Sequence, residues 1–159
     1  TSRAFEGKEI DMARYVTRVA TPLAADAAFA YLADLTNFEH WDPGVRRSVQ
    51  VAGDGPGADA AYDVTVAATP RDLTLRYEVT RYDPPRVCLV VARNAVLTST
   101  DRITVVPDGD GSIVTYDADL ALNGPLALFD PVLRLAFGRI GDRAAAGLRR
   151  ALDGEAVPT

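Results

Sequence analysis

Two charged residues interrupt strand segments whose same-face neighbours are apolar: Arg93 and Asp101. Side chains alternate between the faces of a strand. In 87–93 that alternation takes Val87, Leu89, Val91 and Arg93 to the inner face, and in 99–106 it takes Asp101, Ile103 and Val105. The two segments form one hairpin, which sets Asp101 within a diagonal step of Arg93. A buried unpaired charge is costly, so the two are expected to pair. One reading makes the pair an acid/base couple, or a clamp that orients a polar ligand group in an apolar pocket. The other makes it a salt bridge at the wet end of the sheet. Burial would raise the Asp101 carboxyl and a guanidinium would lower it, so its direction stays open. The same alternation turns Tyr62 and Val64, Tyr77, and Tyr116 inward on three further strands. Their hydroxyls reach a ligand, or they are ordinary half-buried strand residues.

The remaining reactive side chains are few. His40 is the sole histidine and Cys88 the sole cysteine. Multi-histidine and cysteine-rich zinc sites, internal disulfides and dithiol chemistry are therefore excluded, and no metal or cofactor is expected. His40 precedes a turn and is expected at the surface. Cys88 has the opposite parity to Val87 and Leu89 and reads as an inert strand residue. Trp41 offers an apolar body and one donor, fit to wall a cavity mouth or to plug the end of a sheet. The loop GDGPG at 53–57 lacks the Lys-Ser/Thr and the helix of a phosphate-binding loop, and reads as a hairpin turn.

The elements that position these residues follow from pattern. Strands are expected at 13–21, 46–52, 60–68, 73–82, 87–93, 99–106 and 113–122, seven in all, mostly joined by short links as an antiparallel meander. Asp26 is placed as the N-cap of a short amphipathic helix, and FEHW as a further helical turn or two before DPG breaks it. From Leu126 to Leu152 an apolar stripe including Phe129, Leu133, Phe137, Leu148 and Leu152 recurs every three or four residues. That is a helix of roughly 40 Å, beginning or kinking at Pro131. Gly138, Gly141 and Gly147 lower its propensity and let a neighbour approach closely. A twisted antiparallel sheet around one long helix leaves a cavity between them, closed at one end by the short helices. Phe129, Leu133 and Phe137 then belong to the core and to the cavity wall.

The chain has 159 residues, 48% of them hydrophobic and 25% charged, with a formal charge of −5. It reads as a single domain over 13–153, with residues 1–12 an N-terminal arm or expression remnant and 154–159 a tail. Acidity argues against a general nucleic-acid or anionic-membrane binder. No apolar stretch is long enough to span a bilayer, and no signal pattern opens the chain, so a cytoplasmic location is expected. Monomer and homodimer both stay open.

The opening strand ending in ATP, the segment AFAYLADLTNFEHWDPGV, the YDPPR turn and the hairpin PDGDGSIVTYDADL together resemble the helix-grip superfamily. That superfamily includes the START-like lipid-transfer domains, the birch-pollen-allergen-like proteins and the polyketide cyclase/dehydrase-like branch. The resemblance covers roughly 13–152 and implies an α+β helix-grip fold, with Trp41 in a structural role. It implies binding of a hydrophobic small molecule: a lipid, polyketide, isoprenoid or quinone. The ligand would touch Trp41, Tyr62, Val64, Tyr77, Val91, Arg93, Asp101, Tyr116, Phe129, Leu133 and Phe137. The alternative it implies is a polyketide cyclase/aromatase catalysing aldol closure and dehydration. Asp101 would then be the acid or base, Arg93 would steady an enolate, and Tyr116 and Tyr77 would assist. A protein-interaction domain without ligand is the second alternative.

Overall fold

Tyr, Val and Thr dominate Ala13–Thr21, and polar and apolar residues alternate there, so this segment forms strand β1. The computed structural model describes residues 13–68, 70–123 and 130–159, with side chains described from 135 onward in the last segment. The expected arm at 1–12 lies outside the described residues. After β1 come helix α1 (Ala25–Ala33), a single 3₁₀ turn (Leu35–Asn37) and the four-residue helix α2 (Phe38–Trp41). Strands β2 (Val45–Ala52), β3 (Ala61–Val66), β4 (Leu73–Asp83), β5 (Val87–Arg93), β6 (Leu97–Asp108) and β7 (Gly111–Leu122) follow. Helix α3 (Asp130–Ala151) and strand β8 (Glu155–Val157) end the chain.

Among the described residues eight strands join one antiparallel sheet in the order β2-β3-β4-β5-β6-β7-β1-β8. This is one strand more than the seven expected. Residues 155–157 carry too short a pattern to announce a strand, but they follow α3 after a three-residue turn and pair with Arg18, Val19 and Ala20 of β1. Asp26 does not cap α1: the helix starts one residue earlier, and the Asp26 carboxylate lies in its first turn, accepting from the Ala27 N–H. Helix α3 opens at Asp130 with Pro131 in its first turn, where a missing N–H costs nothing.

The outer face of the sheet is polar and cross-linked. Arg76 donates two hydrogen bonds to Asp63 directly opposite it on β3, and Arg14 donates two to Asp117, one diagonal step away on β7. Such exposed pairs add little stability but do specify register. The inner face carries Val64, Leu75, Val90, Ile103, Val105 and Val114, all buried. Helix α1 packs on β6 and β7, and its Phe29 and Leu32 plug one end of the curled sheet. Helix α3 lies against β1 and α2. Two glycines allow that close seat: a Cβ on Gly147 would collide with the Trp41 carbonyl, and one on Gly141 with the Tyr15 ring.

Candidate functional site

The inner face, α2 and α3 enclose a cavity of about 570 Å³. Its wall is mostly apolar, with Leu75, Leu97, Ala118, Phe137 and Ala144 among the lining residues. One side carries a row of buried polar groups. Tyr116 donates to Asp101 Oδ2 at 2.6 Å, the Ser99 hydroxyl lies 3.4 Å from Asp101 Oδ1, and Tyr77 Oη is 2.8 Å from Ser99 Oγ.

Register places this row. Tyr77 on β4 stands opposite Ala92 on β5, which stands opposite Ser99 on β6. The small Ala92 lets the Tyr77 hydroxyl reach two strands across. Asp101 faces Ala118 on β7, and Ile103 faces Tyr116. Tyr116 is thus one diagonal step from Asp101 on the same face. Trp41 packs edge-on against the Tyr116 ring, at a centroid distance of 5.3 Å, and holds the phenol toward the carboxyl.

Burial decides the electrostatics. Desolvation raises the Asp101 carboxyl to about 7, and the buried carboxyl of Asp42 pushes the same way, while hydrogen bonds from Tyr116 and Ser99 pull it down. Asp42, at the start of the DPG turn, also lines the cavity and accepts from the Gly44 N–H at 2.8 Å. Its carboxyl is likewise raised, chiefly by desolvation. Tyr77 and Tyr116 are held well above the ordinary phenol range by burial and by the neighbouring Asp101 carboxylate. At neutral pH this row therefore presents two phenols and a carboxyl near its own titration midpoint. Such a group gives or takes a proton with little penalty.

Of the residues singled out in the sequence, Trp41, Tyr77, Asp101, Tyr116 and Phe137 line the cavity. Tyr62 and Val64 face inward but are buried in the packed core, outside the cavity lining. Phe129 and the Leu133 side chain lie outside the described residues. The expected Arg93–Asp101 pair is not formed. On β5 the inward residues are Cys88, Val90 and Ala92, so Val91 and Arg93 point to the outer side. Arg93 is exposed and stands opposite Thr98, while Asp101 stands opposite Val90. The segment VCLVVAR is apolar at both parities up to its last residue, so valines could not set its phase. The charge of Arg93, taken as the outward marker, would have set it correctly. Cys88 is accordingly buried on the inner side, its thiol raised to about 11 by desolvation. His40 is exposed beside Glu39 and is not part of the cavity wall.

Asp42, Ser99, Tyr15 and Thr17 line the cavity without having been anticipated. An Asp before Pro-Gly is an ordinary turn residue, so nothing local marks Asp42. Thr17 was within reach, since it lies opposite Tyr116 on β1 and shares its face.

Among the described residues, no group of three or more histidine, cysteine or carboxylate side chains is arranged to hold a metal. No described helix is long and apolar enough to cross a membrane.

A curled antiparallel sheet gripping one long helix over a lined cavity defines the helix-grip fold. Residues 12–153 match the family described as "Polyketide cyclase / dehydrase and lipid transport", and the chain belongs to it. Among solved structures it is similar to the Zhui aromatase/cyclase from a Streptomyces species. The TM-score is 0.72 and the identity 11%, over 89% of this chain and 94% of that one. A START superfamily protein from Mycobacterium smegmatis aligns with a TM-score of 0.70 and 16% identity, over 89% and 97%. The di-domain aromatase/cyclase StfQ from the steffimycin biosynthetic pathway aligns with a TM-score of 0.68 and 12% identity, over 93% of this chain. The match spans about half of StfQ, 53% of its length. At these identities the likeness is one of fold. No curated protein matches the chain significantly in sequence.

Proposed function

We propose that the chain binds a hydrophobic small molecule of the lipid, polyketide, isoprenoid or quinone kind, with a carbonyl or hydroxyl of that molecule against Asp101 and Tyr116. The observation that carries this reading is the cavity of about 570 Å³, whose mostly apolar wall holds a buried hydrogen-bonded row. A volume of that order suits a small-molecule ligand, and a few convergent polar groups in an apolar wall orient it. Membership of the family points the same way.

A second reading, polyketide cyclase/aromatase-type catalysis, is favoured by one feature: Asp101 titrates at about 7. Aldol closure needs a proton removed next to a carbonyl and an enolate oxygen steadied, and dehydration needs a hydroxyl protonated. Asp101 supplies the proton exchange in this reading and Tyr116 the hydrogen-bond donor. Arg93 has no part in it, because it lies on the other side of the sheet.

A thermal-shift panel of fatty acids, sterols, quinones, isoprenoids and aromatic polyketides tests the binding reading. A ligand at a hundred times its Kd adds about 2.7 kcal/mol, a shift of roughly 5–10 °C for a domain of this size. A selective shift by one class supports the cavity as a binding site and names the substrates for turnover assays. A flat panel overturns the binding reading.

A further inference from the structure

Among the described residues four charged side chains line the cavity, and their signs are segregated. Asp42 and Asp101 are buried, whereas Arg46 and Arg143 are exposed. The exposed lining residues mark the open side, so the cations sit at the mouth and the carboxyls inside. Arg46 is the second residue of β2 and Arg143 lies on α3, so the two reach the mouth from different elements.

Neither guanidinium donates a hydrogen bond to a described residue. Arg46 Nε forms an ion pair with Asp72 at 3.7 Å, beyond hydrogen-bond distance, and both side chains are exposed. Such a pair contributes little. Arg143 forms no ion pair or hydrogen bond with a described residue. The chain as a whole carries a charge of −5, so two cations at this one opening run against the overall field. A planar guanidinium with its donors free matches carboxylate and phosphate oxygens. The opposite orientation of an anionic ligand is disfavoured, because its charge would be desolvated beside two carboxyls.

We infer that the molecule held in this cavity is an amphiphile with an anionic end, a carboxylate or a phosphate ester, which stays at the mouth between Arg46 and Arg143 while its apolar body enters. The inference rests on the cavity-binding reading above and adds to it the chemical class and direction of the ligand.

The test uses the full chain and a neutral reporter, the fluorophore N-phenylnaphthylamine, displaced by three probes of equal chain length: dodecanoate, dodecyl phosphate and dodecanol. Both anions are expected to compete about five- to tenfold better than dodecanol at low salt, the size of two partly exposed charge contacts. The advantage should shrink as salt rises from about 0.01 M to about 1 M, where the Debye length falls from about 30 Å to about 3 Å. It should vanish in the double variant Arg46→Gln/Arg143→Gln. Both positions are exposed, and an unchanged melting temperature of the variant verifies that its fold is intact. The order of the two anions separates carboxylate from phosphate ester as the natural end group. Equal competition by dodecanol, or an advantage that survives the double substitution, overturns the inference and leaves the cavity reading standing. Failure of the reporter and of all three probes to bind overturns the cavity reading and this inference with it.

Discussion

Replacing Asp101 with Asn should flatten the pH dependence of folding stability. In the folded protein the carboxyl titrates at about 7, against 3.8 for its ordinary value. The unfolded chain therefore releases this proton first as pH rises. Below about pH 3.8 both states are protonated and the group contributes nothing to the pH dependence. Between the two values each pH unit costs the folded state about 1.4 kcal/mol, and above about 7 the loss levels off near 4 kcal/mol. From about pH 5 to about pH 8 the loss from this one group is roughly 2–3 kcal/mol. Asn cannot ionise, keeps the side-chain volume, and its carbonyl can still accept from Tyr116. Urea unfolding of both proteins across that range reads the difference directly. The gap between variant and parent should widen in the variant's favour by roughly 2–3 kcal/mol from the acid to the alkaline end. Asp42 and Asp119, whose carboxyls are also raised, contribute with the same sign in both proteins. Parallel stability curves for the two proteins would refute the reasoning, because they would mean that Asp101 ionises as readily in the folded chain as in the unfolded one.

Two further outcomes follow from the geometry. Gly147→Ala should destabilise by roughly 3 kcal/mol or more, seen as a lowered denaturation midpoint, because the added methyl meets the Trp41 backbone carbonyl and α3 must lift. Arg93→Ala should change stability by less than about 0.5 kcal/mol and leave the affinity of the reporter fluorophore unchanged, since Arg93 is exposed and absent from the cavity wall.

Much of this protein could be read along the chain. Strands β3, β4, β6 and β7 have the inner faces that alternation assigns, because polar residues such as Asp63, Arg76, Asp117 and Asp119 mark the outer parity. The long helix is legible from its apolar stripe, and the short helices from the punctuation around them. Asp101 stands out as a carboxyl on an apolar face, and Tyr77, Tyr116, Trp41 and Phe137 were singled out with it.

What alternation could not supply was a phase for β5, where either parity is apolar, and so Arg93 was set beside Asp101 although it faces the other way. The partner of Asp101 is a tyrosine two strand positions off its register mate, a relation that exists only once β6 and β7 are paired. Strand β8 exists because α3 delivers three residues to the edge of β1, a consequence of where the helix ends in space. Asp42 enters the site because the turn before β2 meets α3. Local pattern reports how each residue relates to its own element, since sterics and burial act with the period of that element. The site is made of relations between elements, and those are decided by register and by the packing of the helix against the sheet.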